Sequence, residues 1–285
     1  MIYRSDYLVG CAWGTNLRTS ATIEKNWGVG VSATGKLGMV LGGVALSCML
    51  AACGSSKNIK QGSEEFSISE GDYIEALSLQ DDAMYFEAIK KWEEVLDDEP
   101  RFAQGHFNVA LIYDQLNLVP EAIEHYEMAV RWSEEHKDLP EARALYNLHL
   151  GAAYIRGGLV DEALKALKDS LAIDQFNPYV HFNLSSAYLA RKNYDKGLLH
   201  ADTAVDLAAI PAGNDLDESV DRVQLGRFIL RQAECHLVRQ EWAKARTALE
   251  RAKMQCKVQA SPAMWDTLNK GEEAAKKNEG ESDKG

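Results

Sequence analysis

Leu150-Gly151-Ala152-Ala153-Tyr154-Ile155-Arg156-Gly157-Gly158-Leu159-Val160-Asp161-Glu162-Ala163 is the stretch that decides how this chain folds. Tyr154 follows the small Gly151 by three residues, Gly158 marks a turn, and Ala163 and Leu167 continue in a second helix-forming segment. A small residue lets two helices approach closely, and an aromatic residue beside it fills the space next to the contact. The pattern predicts a helix, a tight turn and a second helix folded back on the first.

The same offsets recur along the chain. Ala88, Ala122, Ala163, Gly197 and Ala245 are separated by 34, 41, 34 and 48 residues. The copy from near Ala103 has Ala110, Tyr113, Ala122, Tyr126 and Ala129; the copy from near Pro178 has Ser185, Tyr188, Gly197, Ala201 and Ala204. The copy from near Gly226 has Ala233, Trp242, Ala245, Leu249 and Ala252, with His236 where the tyrosine belongs. A first copy from about Ser69 has Ala76, Ala88 and Trp92 and is the weakest match. A 34-residue period with these positions resembles the tetratricopeptide repeat, whose hairpins bury their apolar faces only by stacking.

The resemblance implies an all-α fold: a right-handed superhelical solenoid of about five helix–turn–helix repeats with a C-terminal capping helix. The repeats fall near 69–102, 103–136, 144–177, 178–211 and 226–259, within a domain of 69–259. Seven extra residues at about 137–143 and fourteen at about 212–225 are expected as edge loops or as longer second helices. Ser261-Pro262 opens the capping helix over 260–275, and 276–285 reads as a charged, disordered tail.

Before the repeats, Leu37–Ala52 is an apolar run of 16 residues ending in Leu50-Ala51-Ala52-Cys53-Gly54-Ser55-Ser56. It is shorter than the ~20 residues of a membrane span and has the small-residue end of an export signal. Leu50-Ala51-Ala52-Cys53 resembles the lipobox of bacterial lipoproteins, which implies cleavage before Cys53 and lipidation, palmitate included, of that residue. Residues 1–52 then form the signal region, with 1–35 reading as a misplaced start, and 53–68 form a lipidated tether. As a flexible chain, the 15 residues from Gly54 to Ile68 would average roughly 20 Å. Gly30-Val31-Ser32-Ala33-Thr34-Gly35-Lys36 matches most of a phosphate-binding loop, but Leu37 stands where a hydroxyl should reach magnesium.

Charge narrows the partners. Without residues 1–52 the chain has 27 basic and 41 acidic residues, a net charge of about −14. Such a body lacks the positive face that nucleic acid requires, so no nucleic-acid partner is expected. No nucleophile–base–orienter set and no Cys/His metal spacing is present, so neither enzyme activity, cofactor nor metal is expected. Asp215, Asp217, Glu218 and Asp221 lack the glycine and bidentate glutamate of a calcium loop and read as a solvated turn. His106 and His181 fill a packing position of the repeat, while His125 and His200 share another and are expected to face outward. Cys235 and Cys256 fall at opposite ends of one hairpin and are expected as separate thiols.

In tetratricopeptide proteins the first helices line a groove that holds a peptide. Carried over by position, the groove consists of Phe107, Leu111 and Asp114, then Leu148, Ala152, Ile155 and Arg156. Tyr179, Phe182, Ser186 and Leu189 continue it, followed by Arg227, Leu230, Glu234 and Leu237. Its apolar character suits an amphipathic helix or an extended hydrophobic segment of an envelope protein, or cover by the chain's own N-terminal tether. The architecture resembles lipoproteins that assist type IV pilus and secretin assembly, anchored in the outer membrane and facing the periplasm. An adaptor for cell-wall hydrolases or proteases, and an outer-membrane assembly subunit holding unfolded clients, are the alternatives. The anchor has a direct test. Cys53→Ala should abolish metabolic lipid labelling and release the protein from membranes; unchanged membrane association would refute the lipidated cysteine.

Overall fold

The computed structural model describes residues 56–61, 63–209 and 218–282. Ten helices pair into five hairpins: α1 (Glu70–Asp81) with α2 (Tyr85–Asp98), α3 (Ala103–Gln115) with α4 (Val119–Glu135), and α5 (Pro140–Arg156) with α6 (Val160–Ile173). The fourth and fifth pairs are α7 (Pro178–Ala190) with α8 (Tyr194–Ala208) and α9 (Glu218–Val238) with α10 (Trp242–Cys256). Each hairpin packs on the next, and first helices also touch first helices, α5 on α7 and α7 on α9. The fold is the all-α repeat solenoid that the period predicts.

Small residues set the helix spacing. Ala76, Ala110, Gly151, Ser185 and Ala233 on the first helices are all buried. So are Ala88, Ala122, Ala163, Gly197 and Ala245 on the second helices. A Cβ on Gly151 would lie 2.5 Å from Cγ of the fully buried Leu167. Ser170, where the repeat usually has alanine, is accommodated because its hydroxyl donates to the Ala144 carbonyl at 2.7 Å.

The turn inside each hairpin is one repeated device. Ala83, Asn117, Gly158, Lys192 and Gln240 occupy the same repeat position and all have φ between 57° and 76°. The next residue donates its N–H back across the turn in every case, as from Leu159 to Tyr154 (2.8 Å) and from Asn193 to Tyr188 (2.9 Å). This is the Schellman closure, which needs a left-handed residue and satisfies carbonyls at the helix end. Only Gly158 adopts that conformation without a Cβ penalty.

Three expectations change, and the 137–143 insertion resolves toward the longer-helix alternative. The tether is not a free linker over 53–68: β1 (Ser56–Gln61) and β2 (Glu64–Ser69) form an antiparallel hairpin in which Ile59 faces Phe66 in register. Its physical cause is burial, since Phe66 and Ile68 are each only 2% exposed and join the core of the first repeat. The extra residues at 137–143 form no long loop; α4 and α5 each run to 17 residues and absorb them. Most of the second insertion's C-terminal half is helical, within the 21-residue α9, and residues 210–217 lie outside the described residues. The capping helix continues past 275: α11 spans Pro262–Ser282, with Leu268 buried and Gly271 seated against Trp242.

Cys235 and Cys256 are separate buried thiols. Cys53 and the signal region lie outside the described residues, as do Asp215 and Asp217. Among the described residues no helix is long and apolar enough to cross a membrane.

Two glycines seven positions apart should fail for different reasons. Gly151→Ala collides with Leu167 and should cost about 1–3 kcal/mol, a penalty that shrinks in a Leu167→Ala background. Gly158 has open space around its Cβ direction, so Gly158→Ala should cost only the left-handed backbone strain, about 1 kcal/mol, whatever the residue at 167. Denaturant midpoints of the four variants check both.

Candidate interaction surface

The first helices carry the groove positions, but the residues there are not equally available. Phe107, Leu148 and Leu230 are at most 9% exposed, as are Ala152, Ser186 and Leu237. They are core residues, not open groove residues, because side chains of adjacent helices pack over them. The Phe107 ring lies 4.7 Å from that of Tyr146 and 5.2 Å from that of His149. Leu111, Ile155, Tyr179, Phe182, Leu189 and Arg227 remain half-exposed. Tyr179 and Phe182 are held by Phe228 from the next repeat, at 5.5 and 5.3 Å, and Arg231 lies over Phe182.

Charged groove residues are tied down. Asp114 pairs with Arg156 and also accepts from the Tyr126 hydroxyl at 3.1 Å. Burial still raises the Asp114 carboxyl, and the Arg156 charge offsets only part of it. Glu234 pairs with Arg231 at 2.6 Å. The half-buried imidazole of His149, with Arg156 nearby, is pushed down to about 4 by desolvation first and the guanidinium second. Asp114, Arg156 and Glu234 are thus brought together with internal partners, and their ion pairs link repeats or helix turns.

The β-hairpin occupies the N-terminal end of this face. The Gln61 amide donates to the Tyr146 hydroxyl at 3.3 Å and its carbonyl oxygen accepts from the Gln104 N–H at 3.4 Å. Gln104 in turn donates to the Tyr73 hydroxyl at 2.9 Å. Tyr73, Gln104 and Tyr146 come from the first helices of three successive repeats, so the side chains of Gln61 and Gln104 together link them. Burial pushes the Tyr73 phenol up to about 12. Phe66 packs on Phe102 and His136, at 5.4 and 5.2 Å, and the Ser63 hydroxyl donates to the His136 carbonyl at 2.8 Å. The chain's own N-terminal segment therefore covers part of the groove. The alternation of Phe66 and Ile68 after a Gly62-Ser63 pair was the available sequence signal.

Asp138 lies beneath this cover, 3% exposed. Desolvation raises its carboxyl to about 7, against the smaller lowering effects of the Gln61 amide and the Arg143 charge. Among the described residues no group of three or more His, Cys, Asp or Glu side chains is arranged to hold a metal.

Two stretches, residues 75–136 and 148–214, match the family model described as tetratricopeptide repeat. No curated protein matches the chain in sequence. Among solved structures the chain is similar to BtubC (BKLC) from P. vanneervenii, at 17% identity and a TM-score of 0.57, covering 68% of this chain and 83% of that one. It is similar to a putative kinesin light chain of Podosopora anserina with nearly identical TPR-like repeats, at 19% identity, TM-score 0.51, and coverage of 67% and 96%. MamA from Desulfovibrio magneticus RS-1 follows at 14% identity and TM-score 0.50, covering 72% of this chain and 95% of that one. At such identities the likeness is one of fold.

The buried carboxyl makes a signed prediction. Asp138 is protonated in the folded chain where it would be ionised unfolded, so its contribution is complete below about pH 4. It is lost as pH rises through about 7. Asp138→Asn should remove that loss, leaving the variant more stable than the parent at pH 8 and little changed at pH 4. Thermal melts at the two pH values decide it.

Proposed function

We propose that this tetratricopeptide-repeat protein is a non-enzymatic protein-interaction scaffold of the bacterial cell envelope. It is held by lipid at Cys53 in the outer membrane, faces the periplasm, and binds a segment of an envelope protein along its first-helix face. The observation that carries the interaction role is the solenoid itself: five stacked hairpins present one continuous face built from successive first helices. The lipobox-like sequence at Cys53 supports the anchor and the compartment.

The half-exposed residues narrow where a partner would sit. The hairpin covers the first three repeats near Tyr73, Gln104 and Tyr146. Leu111, Ile155, Tyr179, Phe182, Leu189 and Arg227 stay accessible, so the partner segment lies over repeats two to five, with most of its contacts on the last three. Mixed apolar and basic character there suits an amphipathic segment whose acidic end meets Arg227. Assistance to type IV pilus or secretin assembly is the specific role that the architecture suggests.

Photo-crosslinking from positions 155 and 189 of the full-length protein in cells tests this reading. Adducts with a secretin or pilus component at both positions, lost on Phe182→Ala, are expected. Adducts with peptidoglycan hydrolases or with many unfolded outer-membrane proteins would move the assignment to those partners. Absence of any envelope adduct from either position would overturn the groove as the binding face.

A further inference from the structure

One constellation occurs twice and has no part in the groove chemistry. In the second repeat, Nδ1 of His106 on α3 lies 3.2 Å from Nδ1 of His125 on α4, and Nε2 of His106 lies 3.0 Å from the Pro100 carbonyl. In the fourth repeat, Nδ1 of His181 on α7 lies 3.0 Å from Nδ1 of His200 on α8, and Nε2 of His181 lies 3.1 Å from the Gln175 carbonyl. The expectation that His125 and His200 face outward is corrected: both are half-buried and aimed at the other helix of their hairpin. Ring centroids are 5.3 Å apart in each pair. With the nitrogens only 3.0–3.2 Å apart, the rings meet nose to nose and leave no room for an ion between them.

This geometry fixes the protons. A carbonyl only accepts, so Nε2 of His106 and of His181 carries a proton. In the neutral ring Nδ1 is then the acceptor, and His125 or His200 donates from its own Nδ1. A first added proton enters at Nε2 of His125 or His200 and leaves the link intact. A second proton has only Nδ1 of His106 or His181 to occupy, and there it replaces the acceptor by a donor. Two imidazolium rings would then face each other across about 3 Å.

We propose that the two histidine pairs are acid-sensitive staples that hold the first turns of α3 and α7 against their partner helices at neutral pH and release them on double protonation. Each staple directly precedes a first-helix phenylalanine: the buried Phe107 follows His106, and the half-exposed Phe182 follows His181. Acid therefore loosens the first-helix face at two places 75 residues apart in sequence. Other repeats fill the same pair of positions without an imidazole. Asp72 and Lys91 form an ion pair in the first, Asn147 and Ala166 stand in the third, and the buried Ile229 and Ala248 stand in the fifth.

Aromatic and charged groups surround both pairs. Tyr113 lies 5.6 Å from the His125 ring, and Glu93 of α2 with Glu121 and Glu124 of α4 place negative charge around that phenol. Around the other pair, Tyr188 of α7 stacks on His200 at 5.5 Å, and Lys196 of α8 lies over the same tyrosine. Lys196 opposes an added proton at His200. Burial, then the facing ring, holds His125 down to about 4; His200 is lowered to about 4 by burial, His181 and Lys196. Since these values lie below the ~6.5 of an unfolded histidine, the stabilisation is complete above that pH and lost as pH falls toward 4.

Hydrogen exchange of the full-length protein between pH 7 and 4.5, corrected for intrinsic rates, reads the staples directly. Opening of residues 103–108 and 178–183 should increase by up to about tenfold per pH unit for each proton gained, while residues 144–149 of α5, the equivalent stretch around Asn147, do not follow. The variant H106N/H125A/H181N/H200A copies the third repeat's residues and should lose that pH dependence. Should it not fold, nitrogen NMR of the parent's imidazoles decides: the first proton must enter at His125 and His200, with His106 and His181 held as the Nε2–H tautomer. An unchanged pH slope in the variant, or His106 titrating independently near pH 6.5, would overturn the proposal.

Discussion

Close approach of helices over small side chains is the constraint on which everything else depends. At Gly151 the facing Leu167 leaves no space for even one carbon atom. Alanine, glycine or serine at the equivalent places of every repeat keeps helix separations alike, so the same hairpin can be stacked five times. Stacking then determines which first-helix residues remain accessible. Phe107 and Leu148 vanish into the core between neighbours, and Tyr179 and Phe182 stay half-exposed. The character of the interaction face is a by-product of this spacing.

Turns carry the second regularity. Four of the five hairpins place a residue other than glycine in the left-handed conformation. Each forgoes roughly 1 kcal/mol relative to an unstrained residue, and the Schellman hydrogen bonds offset it by satisfying helix-end carbonyls. Because the closure returns at a fixed offset, the register of the repeat is held by backbone geometry as well as by packing. That explains how His236 can stand in for tyrosine in the last hairpin. Its backbone carbonyl still closes the turn, and its ring accepts a new partner in Glu241 at 2.7 Å.

Features that rest on local spacing were legible in the sequence. Ala122, Ala163, Gly197 and Ala245 located the hairpins, and Cys235 and Cys256 were read as separate thiols from their places in one hairpin. Features that rest on distant pairing were not. Burial of Phe66 and Ile68 depends on Phe102 and His136, which no local pattern connects to them, so a serine- and glycine-bearing segment read as a linker. His106 and His125 meet because the hairpin folds one helix on the other, so the contact is legible only as an i, i+19 pair and not from either residue alone. Groove residues carried over by position are partly covered because packing between neighbouring repeats, a collective property of the stack, is invisible in any single repeat.

The N-terminal hairpin changes the mechanics of an anchored protein. From Cys53 to Ser56 the chain can span no more than about 10 Å, where a free 15-residue linker would wander. Were Cys53 lipidated as proposed, the solenoid would be a short-stemmed fixture instead of a float on a line. Its capture radius would be set by lateral diffusion of the whole molecule and not by the sweep of a tether. A partner would have to be in the same leaflet, or pass close to it, to be met.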